Sequence, residues 1–506
     1  MPTRRSVLRT IGGLTVAAAA GTAVSGHAAA GPVSGDPWRR LDDLLTGRLV
    51  RPTHAGYAAA QRVYLGEYST ANPQAIAYCR TVDDVRACLR FVRDEGIELH
   101  TRSGGHNLAG WSTGPGLVVD LSRFHQTRVG PETVHVGPGV RSIDALTALA
   151  GYGRQIVTGT CPTVCPGGFI SGGGVGHQTR KFGTGSDRLV SALVVLADGR
   201  VVRTSADREP DLFWALRGGG GGTFGIVLDF EVRPIEAPYG VHFDTVWPWD
   251  RAAEVLEAWQ KWSVSSSHDL GSALLVVLPD AAPGATPVVM LNGAYWGPRA
   301  ELEAGLAAMA AEAGTGPVTS QLHEGTYHEV MQRVYGCGQL TVRECHLEGQ
   351  NPDAALPRGG FLRERTRIFD RPVTGTVLTD ALALFDDRQA GQTRLLSLTA
   401  TGGRANEVDR AETAYWHRNA QFLTGFAALA QHPAPPEEQE SAVRWVQRGF
   451  RTLDPVSTGE SYLNFPDLFL TDWQRAYHGD NYTRLLQVKR QYDPGNLFHH
   501  PQSVGS

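Results

Sequence analysis

The sequence predicts an α+β protein of two domains and predicts that the end of the chain returns to the first of them. A chain of 506 residues exceeds the size of one ordinary domain. Residues 73–234 combine short strands with glycine-rich turns and occasional helices, whereas glycine becomes sparser after Pro238. Near Val456 the strand- and turn-rich pattern resumes and continues towards the C-terminus.

The first region contains a helix, a hairpin and further strands. Valine and leucine recur at spacings of three and four over residues 82–92, which is typical of a helix with one buried face. The pair Asp198-Gly199 is a turn signal that predicts a hairpin between its flanking strands. The predicted strands are residues 117–121, 134–136, 189–196 and 224–232.

The second region has a different pattern. Alternating strands are predicted at residues 274–278 and 288–291, and an alanine-rich helix follows at Arg299–Ala313. The Pro- and Glu-rich residues 433–438 predict a solvated loop before another helix.

Composition favours small-molecule partners. The formal net charge is −4 and no run of Lys and Arg is longer than two residues, so we expect no nucleic-acid partner and no binding to acidic membrane surfaces. The six cysteines, at positions 79, 88, 161, 165, 337 and 345, lack metal-ligand spacing, and no metal site is expected. Cys337 and Cys345 could form a disulfide or remain two buried thiols.

Residues 1–30 resemble a twin-arginine export signal. Arg4 and Arg5 precede a mildly apolar stretch at residues 11–24, and three alanines at residues 28–30 provide a cleavage site. An N-terminal membrane anchor is the alternative, but the stretch is shorter than the roughly 18 residues that a spanning helix needs. We expect cleavage after Ala30, secretion and no stable membrane anchor.

Three glycine-rich motifs carry the chemical signal. Arg102-Ser103-Gly104-Gly105-His106-Asn107 follows a predicted strand and would bring backbone N–H groups close to a phosphate, with His106 beside them. Residues 159–168 read Gly-Thr-Cys-Pro-Thr-Val-Cys-Pro-Gly-Gly, and Gly172, Gly173 and Gly174 follow, so little side-chain bulk would separate a cofactor from the backbone. The third motif, residues 217–222, leads into a strand. None of the three matches the Rossmann or Walker pattern.

Together these segments resemble the berberine-bridge-enzyme-like family of FAD-linked oxidases, which has the vanillyl-alcohol-oxidase fold. Further matches are residues 211–220, the run Tyr462-Leu463-Asn464 and the terminal Tyr-Asp-Pro-x-Asn-x-Phe at residues 492–498. The resemblance implies a PCMH-type FAD-binding domain and a substrate domain with an antiparallel sheet covered by helices. We place the FAD-binding domain at residues 31–237, the substrate domain at 238–455 and the returning segment at 456–506.

The resemblance also implies FAD held by two covalent bonds. His106 would be joined to the flavin 8α-methyl carbon and Cys161 to the 6-position carbon, whereas Cys165 is interpreted as structural. Both bonds should raise the reduction potential of the flavin and fix its ring beneath an open cleft. The expected cofactor-binding residues are Arg102, Ser103, Gly104, Gly105, Asn107, Thr160, Gly167, Gly168, Gly172, Gly173, Gly174, Gly225, Ile226, Val227, Tyr462, Asn464 and Asn496.

The catalytic base does not follow from the family pattern. Many members carry a tyrosine in an Asn-Tyr-x-Asp run, but here the run is Asn464-Phe465-Pro466-Asp467. Phe465 has no ionisable group, so the base must be another residue or water, or must be unnecessary. The candidates from the second domain are Tyr327, Tyr335, Glu344 and His346.

Residues 395–398 and 421–426 resemble the family's substrate-facing strands. Because side chains alternate along a strand, either Gln421, Leu423 and Gly425 or the intervening residues face the substrate.

The resulting hypothesis is a secreted oxidase acting on an alcohol or lactol carbon of a sugar or secondary metabolite. A base removes the hydroxyl proton, hydride passes to the flavin 5-nitrogen and O2 is reduced to H2O2. The alternatives are a flavin dehydrogenase with a non-oxygen acceptor and a non-catalytic exported metabolite- or glycan-binding protein.

Overall fold

The computed structural model describes residues 36–506, so the predicted export signal and its cleavage site lie outside the described residues. Within residues 36–506, no helix combines the length and the apolar character needed to cross a membrane.

The strands and helices are numbered here in chain order. The strands are β1 Arg48–Val50, β2 Ala75–Tyr78, β3 Leu99–Arg102, β4 Leu117–Asp120, β5 Thr127–Val129, β6 Val134–Val136, β7 Arg154–Gln155, β8 Leu189–Val195, β9 Val201–Ser205, β10 Ile226–Val232, β11 Ile235–Glu236, β12 Gly240–Trp247, β13 Leu270–Leu278, β14 Val288–Tyr295, β15 Thr319–Gly325, β16 Phe361–Phe369, β17 Gln392–Ala400 and β18 Phe422–Ala430. The helices are α1 Pro37–Leu44, α2 Tyr57–Ala60, α3 Val82–Glu95, α4 Ser142–Ala150, α5 Pro166–Phe169, α6 Thr179–Phe182, α7 Pro210–Ala215, α8 Ala252–Ser265, α9 Arg299–Ala313, α10 Tyr327–Val334, α11 Thr376–Ala383, α12 Pro436–Leu453, α13 Trp473–His478 and α14 Tyr482–Tyr492.

The first part of the chain forms two main sheets. A four-stranded sheet has the order β1-β2-β4-β3, in which β4 pairs in parallel with both β2 and β3. A five-stranded antiparallel sheet has the order β5-β6-β10-β8-β9. The predicted hairpin at Asp198-Gly199 is confirmed, because β8 and β9 pair across it.

The predicted helix in this part, α3, is confirmed and has a clear start. The Thr81 side chain accepts a hydrogen bond from the Asp84 backbone N–H, and the Asp84 carboxylate accepts one from the Thr81 backbone N–H. This capping box satisfies two donors that the first turn would otherwise leave unpaired. Val85, Leu89 and Val92 are buried on one face of the helix, as their spacing predicts.

A seven-stranded antiparallel sheet occupies the middle of the chain. Its order is β15-β12-β14-β13-β17-β18-β16. One face packs under helices α8, α9, α11 and α12, where Trp259 and Trp445 are fully buried. The predicted α+β fold, with an antiparallel sheet covered by helices, is therefore confirmed.

Three predicted elements of this part differ from the structure in length, and one of them, β14, continues to Tyr295 instead of ending at 291. Strand β13 begins at Leu270 rather than 274, because Gly271 and Ser272 pair with β14 although they lack an apolar pattern. A Cβ atom on Gly271 would lie 1.9 Å from the His177 carbonyl oxygen, so only glycine allows this close approach. Helix α12 begins at Pro436, inside the predicted loop, since proline is tolerated in a first helical turn.

The C-terminal segment returns to the first part of the chain. Leu485, Val488 and Tyr492 of α14 belong to the same buried cluster as Val194 and Phe230 of the five-stranded sheet. The buried Lys489 ammonium donates to the Thr223 carbonyl oxygen at 2.8 Å and to the Asp493 carboxylate at 2.7 Å. We propose to retain 31–237, 238–455 and 456–506 as the limits of the two domains and the returning segment.

The cysteine question left open by the sequence is resolved for one pair. Cys337 and Cys345 form a disulfide in the loop after α10, with their Cα atoms 5.8 Å apart. Cys79, Cys88, Cys161 and Cys165 are free thiols.

Candidate active site

A cavity of about 340 Å³ lies where the three glycine-rich segments meet the C-terminal segment. Both residues predicted to attach the flavin, His106 and Cys161, line this cavity. The predicted cofactor-binding residues that also line it are Ser103, Gly104, Gly105, Asn107, Thr160, Gly167, Gly168, Gly225, Ile226, Val227, Tyr462 and Asn464.

The His106 ring is held by two neighbours. Its Nε2 atom lies 2.8 Å from the Thr163 Oγ1 atom, and its ring stacks on Tyr64 with the centroids 4.5 Å apart. Burial, followed by the positive charges of Arg358 and Arg141, lowers the pKa of His106 to about 3. The imidazole is therefore neutral, and no hydrogen bond to its Nδ1 atom occurs within residues 36–506. A neutral ring with a free nitrogen can act as a nucleophile.

Cys161 and Cys165 both line the cavity but differ in environment. Cys161 is half-buried, and its Sγ atom lies 3.8 Å from the same Thr163 hydroxyl. Burial raises the pKa of the Cys161 thiol, and hydrogen bonds from the Thr163 backbone and side chain oppose that rise. Cys165 is fully enclosed, and burial raises its pKa to about 12, so it is the less reactive thiol.

The cavity wall fits a long phosphate-bearing cofactor because glycine backbone forms much of it. A Cβ atom added to Gly168 would meet nothing within 4 Å, so this glycine faces open space. Gly222 has φ of +67°, a conformation that favours glycine, and it lies in the run Gly220 to Gly222 on the cavity wall. Backbone N–H groups on such surfaces provide sites for phosphate groups.

Five residues predicted to contact the cofactor do not line the cavity. The Arg102 guanidinium is buried and pairs with the Asp120 carboxylate at 2.6 Å, so it links β3 and β4. Asn496, with φ of +50°, forms the turn after α14. The remaining three glycines pack against protein side chains. A Cβ atom added to Gly172 would clash with Asn464, one added to Gly173 with Tyr415 and one added to Gly174 with Phe169.

The C-terminal segment holds one wall of the cavity in place through Tyr462. Its hydroxyl accepts hydrogen bonds from the backbone N–H groups of Gly174 and Val175 at 3.0 and 3.1 Å and from the Asn464 side chain at 2.9 Å. Burial raises the pKa of Tyr462 to about 12. The phenol is therefore a neutral structural group. Phe465 packs edge-on against it, with the ring centroids 5.4 Å apart.

The structure also adds aromatic residues that the motifs did not reveal. Tyr64 lines the cavity under His106, and His500 stacks on Trp111 with the centroids 4.1 Å apart. In the sequence, Tyr64 lies well before the first glycine motif and Trp111 lies shortly after it, and His500 is near the end of the chain. No local pattern marks these residues.

On the face of the seven-stranded sheet opposite α8, α9, α11 and α12, helix α10 packs against β14, whereas β16 and β18 contact residues of this site. Leu396 and Leu398 belong to the core under the helices, so Leu395 and Ser397 point to the opposite face. Leu423 and Ile368 on this face pack with Tyr462 and Phe465. The alternative in which Leu423 and Gly425 face the cleft is therefore the one that the strand register supports.

The four base candidates drawn from the second domain do not line the cavity, and we withdraw them. Tyr327 and Tyr335 are buried, and their hydroxyls hydrogen-bond to Gln178 at 2.9 Å and Thr158 at 2.7 Å; burial raises the pKa of both phenols. The remaining two have other structural partners: His346 contacts Asp144 and the Val342 carbonyl oxygen, and the exposed Glu344 caps Thr341.

A different carboxylate, Glu364, does not line the cavity either, but it lies on the face of β16 that contacts the cavity wall through Ile368. It shares that face with Thr366 and Ile368, whereas its neighbours Arg363 and Arg365 alternate to the other face and pair with Glu67 and Asp467. No hydrogen bond or ion pair engages the Glu364 carboxylate within residues 36–506.

Glu364 interacts electrostatically with Asp467 and with Tyr64. Burial, followed by the negative charge of Asp467, raises the pKa of Glu364 to about 7. Burial raises the pKa of Tyr64, and the charges of Cys161 and Glu364 raise it further. The backbone contributes to this proximity, because a bridge joins Leu65 to Gly359 just before β16.

Comparisons with known proteins agree with this geometry. The family described as "FAD binding domain" matches residues 73–205, and the family described as "Berberine and berberine like" matches residues 461–505. The chain is 28% identical over 471 residues to the "Uncharacterized FAD-linked oxidoreductase YgaK" of Bacillus subtilis, covering 91% of this chain and 97% of that protein.

Solved structures share the fold. Wild-type BBE-like 1 of Physcomitrella patens superposes with a TM-score of 0.82 at 22% identity, covering 93% of this chain and 99% of that one. Glucooligosaccharide oxidase from Acremonium strictum, described with a 6-S-cysteinyl, 8α-N1-histidyl FAD, superposes with a TM-score of 0.78 at 24% identity, covering 90% and 97%. The chain therefore contains an FAD binding domain and a berberine-like C-terminal segment, and it resembles the berberine-bridge-enzyme-like FAD-linked oxidoreductases in sequence and in fold.

Proposed function

We propose that this protein is a secreted oxidase that carries FAD on His106 and Cys161 and oxidises a CH–OH group of a sugar or secondary metabolite, with O2 as the final acceptor. The observation that carries the proposal is the placement of both attachment side chains on one cavity, beside the cleft face of β16 and β18. A protein that merely bound a metabolite would not need two reactive side chains directed at one cofactor.

The state of His106 supports its role as an attachment residue. The imidazole is neutral, and its Nε2 atom is engaged by Thr163, so Nδ1 is the nitrogen free to form a bond. The 8α-N1-histidyl linkage named for glucooligosaccharide oxidase uses the corresponding ring nitrogen. Cys161, rather than Cys165, is the more accessible thiol for the second bond.

Different groups accept the electrons, remove the proton and shape the cavity wall. When bound, FAD supplies the two-electron acceptor for hydride from a substrate carbon. We assign removal of the proton from the substrate hydroxyl to Glu364. This cleft-facing carboxylate has no partner among the described residues, and it ionises near neutral pH. Tyr462 and Asn464 fix the cavity wall, and Phe465 provides packing rather than a proton acceptor.

The sheet face favours a substrate that combines hydroxyl groups with apolar surface. Thr366 has a buried hydroxyl without a hydrogen-bond partner among the described residues, and Ser397 and Glu364 share its face. Leu395 and Leu275 add apolar surface between these polar groups. Sugars and glycosylated metabolites present both kinds of surface.

Anaerobic mixing with candidate substrates tests the proposed function. We expect a reducing sugar or a glycosylated metabolite to bleach the flavin absorbance of the purified protein. Admission of air should restore the absorbance, with one H2O2 formed per molecule of substrate oxidised. The matched control is the 1-deoxy analogue of each active sugar, which lacks the oxidisable lactol and should leave the absorbance unchanged.

Two outcomes would count against the proposal. Bleaching by no sugar or metabolite alcohol would favour a binding protein, and bleaching that is reversed by a quinone but not by O2 would favour a dehydrogenase.

Export depends on the arginine pair in the leader. We expect the double variant Arg4→Lys with Arg5→Lys to remain inside the cell, because the export machinery recognises the arginines themselves and not only their charge. Immunoblots of cell and medium fractions provide the measurement, and Arg9→Lys in the same leader provides the matched control. Undiminished secretion of the double variant would contradict the assigned pathway.

A further inference from the structure

We propose that Thr163 is a positioning residue for flavin attachment, because its one hydroxyl group contacts both attachment side chains. The inference deepens the proposed function and rests on it. The Thr163 Oγ1 atom lies 2.8 Å from His106 Nε2 and 3.8 Å from Cys161 Sγ. Thr163 has no exposed surface, so water does not compete for these contacts.

The backbone around Thr163 is anchored on both sides. The Pro162 carbonyl oxygen accepts a hydrogen bond from the Ile143 N–H at 2.9 Å, and the Val164 carbonyl oxygen accepts one from the Ser142 N–H at 3.0 Å. Both donors lie at the start of α4. The hydroxyl of Thr163 is therefore held at a fixed point relative to the cavity.

The contact with Thr163 determines which nitrogen of His106 is available. When Nε2 carries the ring proton and donates it to Thr163 Oγ1, the lone pair lies on Nδ1. Stacking of the ring on Tyr64 fixes its plane, so the two contacts together set the direction of Nδ1. Without the hydroxyl, both tautomers and other ring rotations become accessible.

Bond formation also requires the partner of Nε2 to change its role. Each covalent bond replaces a flavin C–H bond and either the imidazole N–H or the thiol S–H bond. The two electrons and two protons released in each case pass to O2, which yields H2O2. His106 loses the Nε2 proton in this process, and Nε2 then becomes a hydrogen-bond acceptor. A hydroxyl group serves both states, since it accepts before the bond forms and donates afterwards.

The test compares Thr163→Val with Thr163→Ser in the full-length protein. The fractions of chains with two, one and no flavin bonds are measured by intact mass and by peptide mapping after denaturation. We expect the valine variant to form each bond about tenfold more slowly, the scale of one lost hydrogen bond, and to accumulate chains with one bond or none. Serine retains the hydroxyl and should restore attachment close to the wild-type level.

Thr158→Val is the matched control, because Thr158 is also a buried threonine whose hydroxyl bonds to Tyr335 rather than to an attachment residue. If the Thr163→Val protein does not accumulate in soluble form, Thr163→Ala removes the hydroxyl without adding a methyl group and gives the same readout.

The outcomes separate this inference from the proposed function. Complete attachment at the wild-type rate in Thr163→Val or Thr163→Ala, with a doubly attached wild type, would overturn the positioning role alone. Equal losses in the Thr163→Val and Thr158→Val variants, or no rescue by serine, would also overturn it. A wild-type protein without covalent flavin would overturn the proposed linkage and this inference together.

Discussion

Replacing His106 and Cys161 together by alanine is expected to abolish covalent retention of FAD, so that all yellow colour enters the supernatant after acid precipitation. Each single variant, His106→Ala or Cys161→Ala, should keep one bond and therefore retain colour in the pellet. The reason is that the two side chains approach the cavity from different segments and provide separate links. The measurement is flavin absorbance in pellet and supernatant, together with the intact mass.

Cys165→Ala is the control for this series, because Cys165 also lines the cavity but its pKa of about 12 keeps it as an unreactive thiol. That variant should retain both bonds. Release of colour from the wild-type protein would show that the linkage is absent. Loss of a bond in Cys165→Ala but not in Cys161→Ala would mean that the wrong thiol has been assigned.

Glu364→Gln is expected to slow flavin reduction roughly 100-fold, the usual effect of removing a general base. The wild-type pH dependence has a definite direction. Because the pKa of Glu364 is raised to about 7, the carboxyl is protonated and inactive below that pH. The rate of reduction should therefore fall about tenfold per pH unit below pH 7 and be level above it. Glutamine should remove this dependence, as measured by anaerobic stopped-flow absorbance.

Glu344→Gln is the matched control, since Glu344 is an exposed carboxylate away from the cavity. It should leave both the rate and the pH profile unchanged. An unchanged rate of reduction in Glu364→Gln at every pH would exclude Glu364 as the proton acceptor. A slower rate with the wild-type pH profile would instead point to a role in binding.

The elements with strong local signals were predictable from sequence. Helix α3 has apolar residues at helical spacing and helix α9 is rich in alanine, and the predicted positions of both agree with the structure. The start of β13 was not predictable because Gly271 and Ser272 lack an apolar alternation. Their strand conformation comes from pairing with β14, a neighbour that only the tertiary fold supplies.

The site shows the same division between local and distant causes. His106 and Cys161 stand in glycine-rich motifs, and both line the cavity. Gly172 to Gly174 also form a glycine-rich run, but their lack of side chains makes room for protein side chains and not for a cofactor. One of these side chains is Tyr415, which is distant in sequence. Density of glycine indicates close approach, but it does not identify what approaches.

Glu364 was missed because its sequence context conceals its environment. Between Arg363 and Arg365 it resembles part of an exposed charged run, whereas strand alternation separates it from both guanidinium groups. Recognising it requires the register of β16 against β18 and the position of Tyr64. Neither can be read from local sequence.

The return of the C-terminal segment governs when this protein can fold. Tyr462 closes the cavity wall, α14 completes the core of the five-stranded sheet and His500 stacks on Trp111. A nascent chain that has emerged only as far as the seven-stranded sheet lacks these groups, so its cofactor domain cannot complete its folding vectorially on the ribosome.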